Sequence, residues 1–192
     1  MYYHASKVKD LSVLEPNVSM HEKSLVYLSR KRENVLIYLS NAVEKFCKES
    51  GFVYDGVYQK WGPYGFDEDG IIRIEEYYPD ALRSSMQGES GYIYSIKEAK
   101  LSDFDTGICD VVVSEKTVRV DGCEYVEDAY EAILETEEKG LLRILRYEDL
   151  TDQKKQWINE TVKREYEEAE EHPEYRYFLL HHFSDILKEA KQ

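Results

Sequence analysis

Leu25-Val26-Tyr27-Leu28-Ser29-Arg30-Lys31-Arg32-Glu33-Asn34-Val35-Leu36-Ile37-Tyr38-Leu39 is the stretch whose reading decides the fold of this 192-residue chain. Leu25 to Leu28 is a compact apolar run of strand length, and Ser29 after it is a good helix N-cap. From there the period changes. Val35, Leu36, Leu39, Val43 and Phe46 recur at three- and four-residue intervals until Ser50-Gly51. The change predicts a strand that feeds one helix, starting near Arg30 and buried along a single stripe.

Working outward, Tyr2 to Ser6 reads as a short edge strand and Lys7 to Pro16 as a loop with a helical turn. On the other side the pattern weakens from Phe52 to Gly70, where Trp61-Gly62-Pro63-Tyr64-Gly65-Phe66 is a turn-rich aromatic segment. Strands are predicted over Ile71–Glu76, Tyr92–Ile96 and Leu141–Leu145, and short helices over Asp80–Met86 and Asp128–Lys139, the latter closed by Gly140. Val111–Val113 and Val118–Val120 are expected to pair around a polar bend, with Glu124–Val126 ending their ladder. Thr151 to Glu171 is highly charged and reads as a long helix docking through Trp157, Ile158, Val162 and Tyr166; Tyr175 to Lys188 is a final helix. The expectation is an α+β core over 1–147 with a helical C-terminal extension over 148–192.

Charge bounds the partners. Asp+Glu number 39 against Lys+Arg 25, for a formal net charge of -14. Non-specific nucleic-acid affinity comes from cations that displace counterions, so a broad phosphate-binding surface is excluded, although a local basic pocket can hold a dinucleotide. No apolar run approaches the roughly 20 residues that span a bilayer, and the polar start Met1 to Asp10 lacks the apolar stretch of a secretory signal. Cys47, Cys109 and Cys123 have no CxxC spacing, which suits reduced thiols in a cytoplasm.

Three features lie in order along the chain: Tyr3-His4-Ala5-Ser6 on the first strand, Tyr27 followed eleven residues later by Tyr38, and Asp110 opening Val111-Val112-Val113-Ser114. The order resembles the ADP-ribosyltransferase superfamily, in its diphtheria-toxin and poly-ADP-ribose-polymerase-like branch. That branch has a His-Gly-Ser/Thr strand, a strand Tyr, a helix with a second Tyr, and a strand-borne Glu. The resemblance spans about residues 2 to 120 and implies a split β-sheet core with NAD as substrate and an unknown macromolecule as acceptor. It implies that His4 donates a ring N–H to a ribose hydroxyl. Ala5, assisted by Ser6, holds the nicotinamide amide, and Tyr27 and Tyr38 sandwich its ring. A carboxylate stabilises the oxocarbenium-like cation as nicotinamide leaves. Asp110 is the best match for that acid, with Glu115 and Glu124 as alternatives.

Three departures bear on this assignment. Ala5 stands where family members carry glycine for close backbone approach. Val35 stands near where many carry a serine, and Asp110 is one methylene shorter than glutamate. A shortened acid also fits the alternative, a non-catalytic protein-interaction module on the same fold. RNA 2′-phosphotransferases share that fold but need basic residues around a phosphate, and the sequence reading finds no such cluster near the proposed cleft.

Other motifs point elsewhere. No GxxxxGK[ST] loop, GxGxxG fingerprint or GxSxG elbow occurs. His181, His182 and Asp185 offer a helical pair for a cation, which neither His21 nor His172 complements, so no metal site is expected. Cys109 beside Asp110 is not an activated thiolate, because a neighbouring carboxylate raises a thiol's pKa. Glu75-Glu76-Tyr77-Tyr78-Pro79 reads as an acidic-aromatic rim, and Glu165 to Glu171 as a solvated helix face.

Overall fold

The computed structural model describes residues 1–18 and 23–189; His21 lies outside them. In chain order the strands are β1 (Tyr2–Ser6), β2 (Val13–Leu14), β3 (Asn17–Val18), β4 (Ser24–Ser29), β5 (Tyr64–Phe66) and β6 (Ile72–Glu75). They continue with β7 (Gly91–Ile96), β8 (Val111–Ser114), β9 (Val118–Arg119), β10 (Gly122–Val126) and β11 (Leu142–Leu145). The α-helices are α1 (Ala42–Ser50), α2 (Ala81–Met86), α3 (Ala129–Glu138), α4 (Asp152–Glu168), α5 (Pro173–His182) and α6 (Ser184–Glu189), and a 3-10 helix covers Glu33–Leu39. The class is α+β. No helix among the described residues is long and apolar enough to cross a membrane.

The chain forms two compact units, each assembled from separated segments. The first takes Met1–Leu39, Phe66–Ile72 and Gln87–Leu142; the second takes Ser40–Gly65, Arg73–Met86 and everything from Arg143 on. Position 147 is therefore not where contacts divide: the C-terminal helices share a unit with α1 and α2.

In the first unit a mixed-length antiparallel sheet runs β10–β7–β1–β4–β3, with β8 also paired to β4. Two register findings correct the sequence reading. β8 pairs with β4, while β9 pairs with β2, so the expected Val111–Val113 with Val118–Val120 hairpin does not form. β10 pairs with β7 rather than ending that ladder. The turn between β8 and β9 is closed by Ser114, whose Oγ accepts from the Lys116 amide and donates to its carbonyl. Each strand pairs with a distant strand instead of with the other.

Alternation assigns the faces. Val26 and Leu28 of β4 pack with Tyr94 and Ile96 of β7, and with Leu14 and Val118, on one face. The buried Tyr94 hydroxyl donates to Val8 O at 2.6 Å and accepts from the Leu11 amide at 3.3 Å, which ties down the loop after β1. On the other face the 3-10 helix rests on β1 and β7 and against α3. Gly91 makes that approach possible: a Cβ there would meet Leu39 Cδ2 at 2.8 Å and Ser6 O at 3.1 Å. Gly91→Ala is expected to cost about 1–3 kcal/mol through overpacking against backbone. Chemical denaturation followed by far-ultraviolet circular dichroism checks it; an unchanged midpoint would mean that Leu39 simply moves aside.

The single long helix predicted from Arg30 to Ser50 is two pieces. Asn41 has extended backbone and its side chain accepts from Val43 N at 3.1 Å, so it caps a new helix instead of continuing an old one. Gly51, in the left-handed region, closes α1 as expected.

The second unit buries Val43, Cys47, Ile158, Val162, Phe178, Leu179 and Phe183 in one core. Ile158 and Val162 dock α4 as anticipated, whereas Trp157 stays 47% exposed. The final helix breaks at Phe183 into α5 and α6. Glu75-Glu76-Tyr77-Tyr78 is no exposed rim: all four are buried. Glu75 is held by Arg73 and Lys154 at 2.7 and 2.8 Å, and Glu76 accepts from the Leu82 amide at the start of α2. The Trp61 segment is core packing, with Trp61 edge-on to Tyr77 and Phe183.

Candidate functional site

His4, Ala5 and Ser6 lie on β1, Tyr27 on β4, Asp110 just before β8, and Glu124 on β10, all in the first unit. A hydrogen bond joins the first two motifs. His4 Nδ1 lies 2.9 Å from Tyr27 O. A carbonyl only accepts, so Nδ1 carries the proton. Burial lowers the imidazole's pKa despite that bond, which keeps the ring neutral and leaves Nε2 as an acceptor. A ribose hydroxyl would therefore donate to His4, the reverse of the expected direction.

Side-chain faces divide the set. Residues opposed across antiparallel strands point the same way. His4 opposes Tyr94, on the face with Val26 and Leu28. Tyr27 alternates with Val26 and Leu28 and opposes Val113, so its ring leaves by the other face. The His4 and Tyr27 side chains do not line one surface; the imidazole reaches Tyr27 at its backbone carbonyl. Ala5 does share the Tyr27 face, because Tyr3 opposes Ser29. Through Ile93, so does Glu124, in the row Glu124–Ile93–Ala5. Tyr38, on the 3-10 helix, is 44% exposed. Ser6 Oγ accepts from the Val8 amide at 3.1 Å and shapes the turn that follows β1.

The three acids are placed differently. Asp110 sits in the left-handed region at φ 60. Its carbonyl accepts from the Arg30 amide at 2.8 Å, and its carboxylate pairs with Lys31 Nζ at 2.9 Å. Glu115 follows β8 and accepts from Ser102 Oγ at 2.7 Å. Glu124 is gripped by both arms of Arg32, with Nε at 2.8 Å from Oε2 and Nη2 on Oε1. This hydrogen bonding outweighs desolvation and holds the Glu124 pKa below the usual carboxylate value. The Cys109 thiol is raised first by desolvation and then by Asp110, so it stays protonated.

One feature escaped the sequence reading. Arg30-Lys31-Arg32 is a run of three cations at the end of β4, in a chain of net charge -14. Lys31 also donates to Gly70 O at 2.8 Å, and the Arg30 guanidinium lies 5.8 Å from the Tyr2 ring centroid. The signal was three consecutive basic residues in an acidic background. Among the described residues no group of three or more His, Cys, Asp or Glu side chains gathers as a metal site. No family model, curated protein or solved structure gives a significant match to the chain.

Proposed function

We propose that the first unit is an ADP-ribosyltransferase-like module that binds NAD and transfers its ADP-ribose to a macromolecule. The observation that carries the reading is the row Ala5–Ile93–Glu124 on the same sheet face as Tyr27, with β1 tied to β4 through His4. It puts a backbone edge, an aromatic ring and a glutamate on one face of adjoining strands, the face on which the 3-10 helix that carries Tyr38 rests. Lys31 and Arg32, once released from Asp110 and Glu124, are the cations for a diphosphate. In this reading Glu124 takes the role of the acid in preference to Asp110. It has the longer side chain and the shared face. The ribose–nicotinamide C–N bond breaks, nicotinamide leaves with the electron pair, and the acceptor nucleophile bonds to the same carbon and gives up its proton to solvent. Glu124 faces the positive charge between those events. Arg32 must first release it.

The ion pairs favour a second reading. With Glu124 held by Arg32 and Asp110 by Lys31, the same face also suits a non-catalytic module. Calorimetry with NAD and an assay for free nicotinamide separate the two. Transferase function is expected to give saturable heat that Tyr27→Ala removes, and nicotinamide release that Glu124→Gln abolishes while the heat persists. Heat without nicotinamide supports the binding module; no heat from the unmodified chain ends the NAD reading.

A further inference from the structure

A cavity of about 370 Å³ lies within the second unit, built by the loop after β6, the short 3-10 turn Tyr147–Asp149, α4, and the α5–α6 junction. Its size is at the lower end of the roughly 300–1,000 Å³ typical of small-molecule sites, so it suits a single ring system and not a dinucleotide. The walls are aromatic: Tyr78, Tyr147, His182 and Phe183 all line it. His182 stacks on Tyr78 with centroids 4.1 Å apart and planes 20° from parallel, and Tyr78 meets Phe183 edge-on at 5.6 Å. Such walls favour a flat aromatic guest over a branched aliphatic one.

The charges are as informative as the rings. Lys155 and Asp185 line the same cavity, one cation and one anion on different helices. Lys155 Nζ sits 4.8 Å from the Tyr147 ring centroid, and among the described residues Asp185 accepts a long hydrogen bond, 3.3 Å, from the adjacent Ser184 hydroxyl. His182 adds no charge near neutral pH, since burial and then His181 push its pKa down to about 4. A simple anion would meet Asp185 and a simple cation would meet Lys155. An electroneutral guest with both charges satisfies the two together.

We infer that this cavity binds a free aromatic amino acid as its zwitterion, with the ring between Tyr78, Tyr147 and Phe183, the carboxylate on Lys155 and the ammonium on Asp185. The site belongs to the second unit alone and stands apart from the NAD reading of the first.

Titration calorimetry of the full chain with L-phenylalanine, phenylacetate and phenethylamine tests both charges separately. L-Phenylalanine is expected to bind more tightly than either single-charge analogue. Lys155→Ala is expected to weaken L-phenylalanine and phenylacetate by about tenfold and to leave phenethylamine unchanged. Asp185→Asn is expected to weaken L-phenylalanine and phenethylamine by about tenfold and to spare phenylacetate. Neither side chain is in the core, so both variants should fold; Asn159→Phe, which fills the cavity from an exposed position on α4, should abolish all three. Absence of saturable binding by L-phenylalanine overturns the inference, and so does binding that Lys155→Ala and Asp185→Asn both leave intact.

Discussion

Phe178→Ala is expected to lower the stability of the second unit by about 3–5 kcal/mol, the range for deleting a fully buried aromatic ring that leaves a cavity. Phe178 is completely buried on α5. Its ring is 5.8 Å from both Phe46 and Trp61, 6.2 Å from Tyr78, and 4.6 Å from His182. Those partners come from α1, the Trp61 segment, the loop after β6, and α5 itself, so one truncation opens a gap that four elements share. Close packing leaves little room for such a gap to collapse. The readout is unusually clean: the chain has two tryptophans, Trp61 and Trp157, and both lie in the second unit. Tryptophan fluorescence during urea unfolding therefore reports this unit's loss directly. A midpoint shift equivalent to less than about 1 kcal/mol would show that the aromatic cluster repacks around the missing ring.

Acidification should weaken the same unit well before the carboxylates titrate. Desolvation, with help from the neighbouring His181, pushes His182 from an ordinary 6.5 down to about 4. The folded chain thus resists a proton that the unfolded chain accepts. Stability from this group is complete above pH 6.5, falls as pH drops below that value, and is fully lost once pH passes below about 4. The shift sets a ceiling of roughly 3 kcal/mol across that window, which solvent screening of the partly exposed ring reduces. Glu75 contributes in a lower one: burial alone would raise its pKa, but Lys154 and Arg73 prevail and lower it, so its stabilisation is present above 4.5 and lost below. His182→Phe keeps a ring against Tyr78 and removes the titration. Urea midpoints between pH 7 and 4.5 are expected to fall for the parent and to stay nearly level for the variant. Equal slopes would assign the acid sensitivity elsewhere. Because His182 touches Phe178, the two substitutions should not add when combined.

Local chemistry made much of this fold legible. Gly51 and Gly140 stop their helices, Asp128 caps α3 through the Tyr130 and Glu131 amides, and β1, β4, β6 and β7 occupy the apolar runs that announced them. The helix break at Asn41 was written in the same chemistry, as a side chain that competes for Val43 N, but the continuing apolar stripe masked it. The candidate site was legible only as an order of residue types. His4, Tyr27 and the acids were identifiable by spacing, yet no spacing tells which face of a sheet a residue leaves by once its partners are unknown.

By itself, then, the sequence determined element type and caps, because propensity, periodicity and capping act over a few residues. Strand partners were decided by the tertiary structure: β8 beside β4, β9 beside β2 and β10 beside β7 join residues far apart in the chain, as in Val13 with Arg119 and Val26 with Ser114. Each pairing fixes a register, and a register fixes a face. That step sent His4 and Tyr27 to opposite sides, brought Glu124 to the side of Ala5, and buried Glu75 and Glu76 among cations and amides. Burial and charge pairing are sums over neighbours that local order does not contain, so only the folded chain could set them.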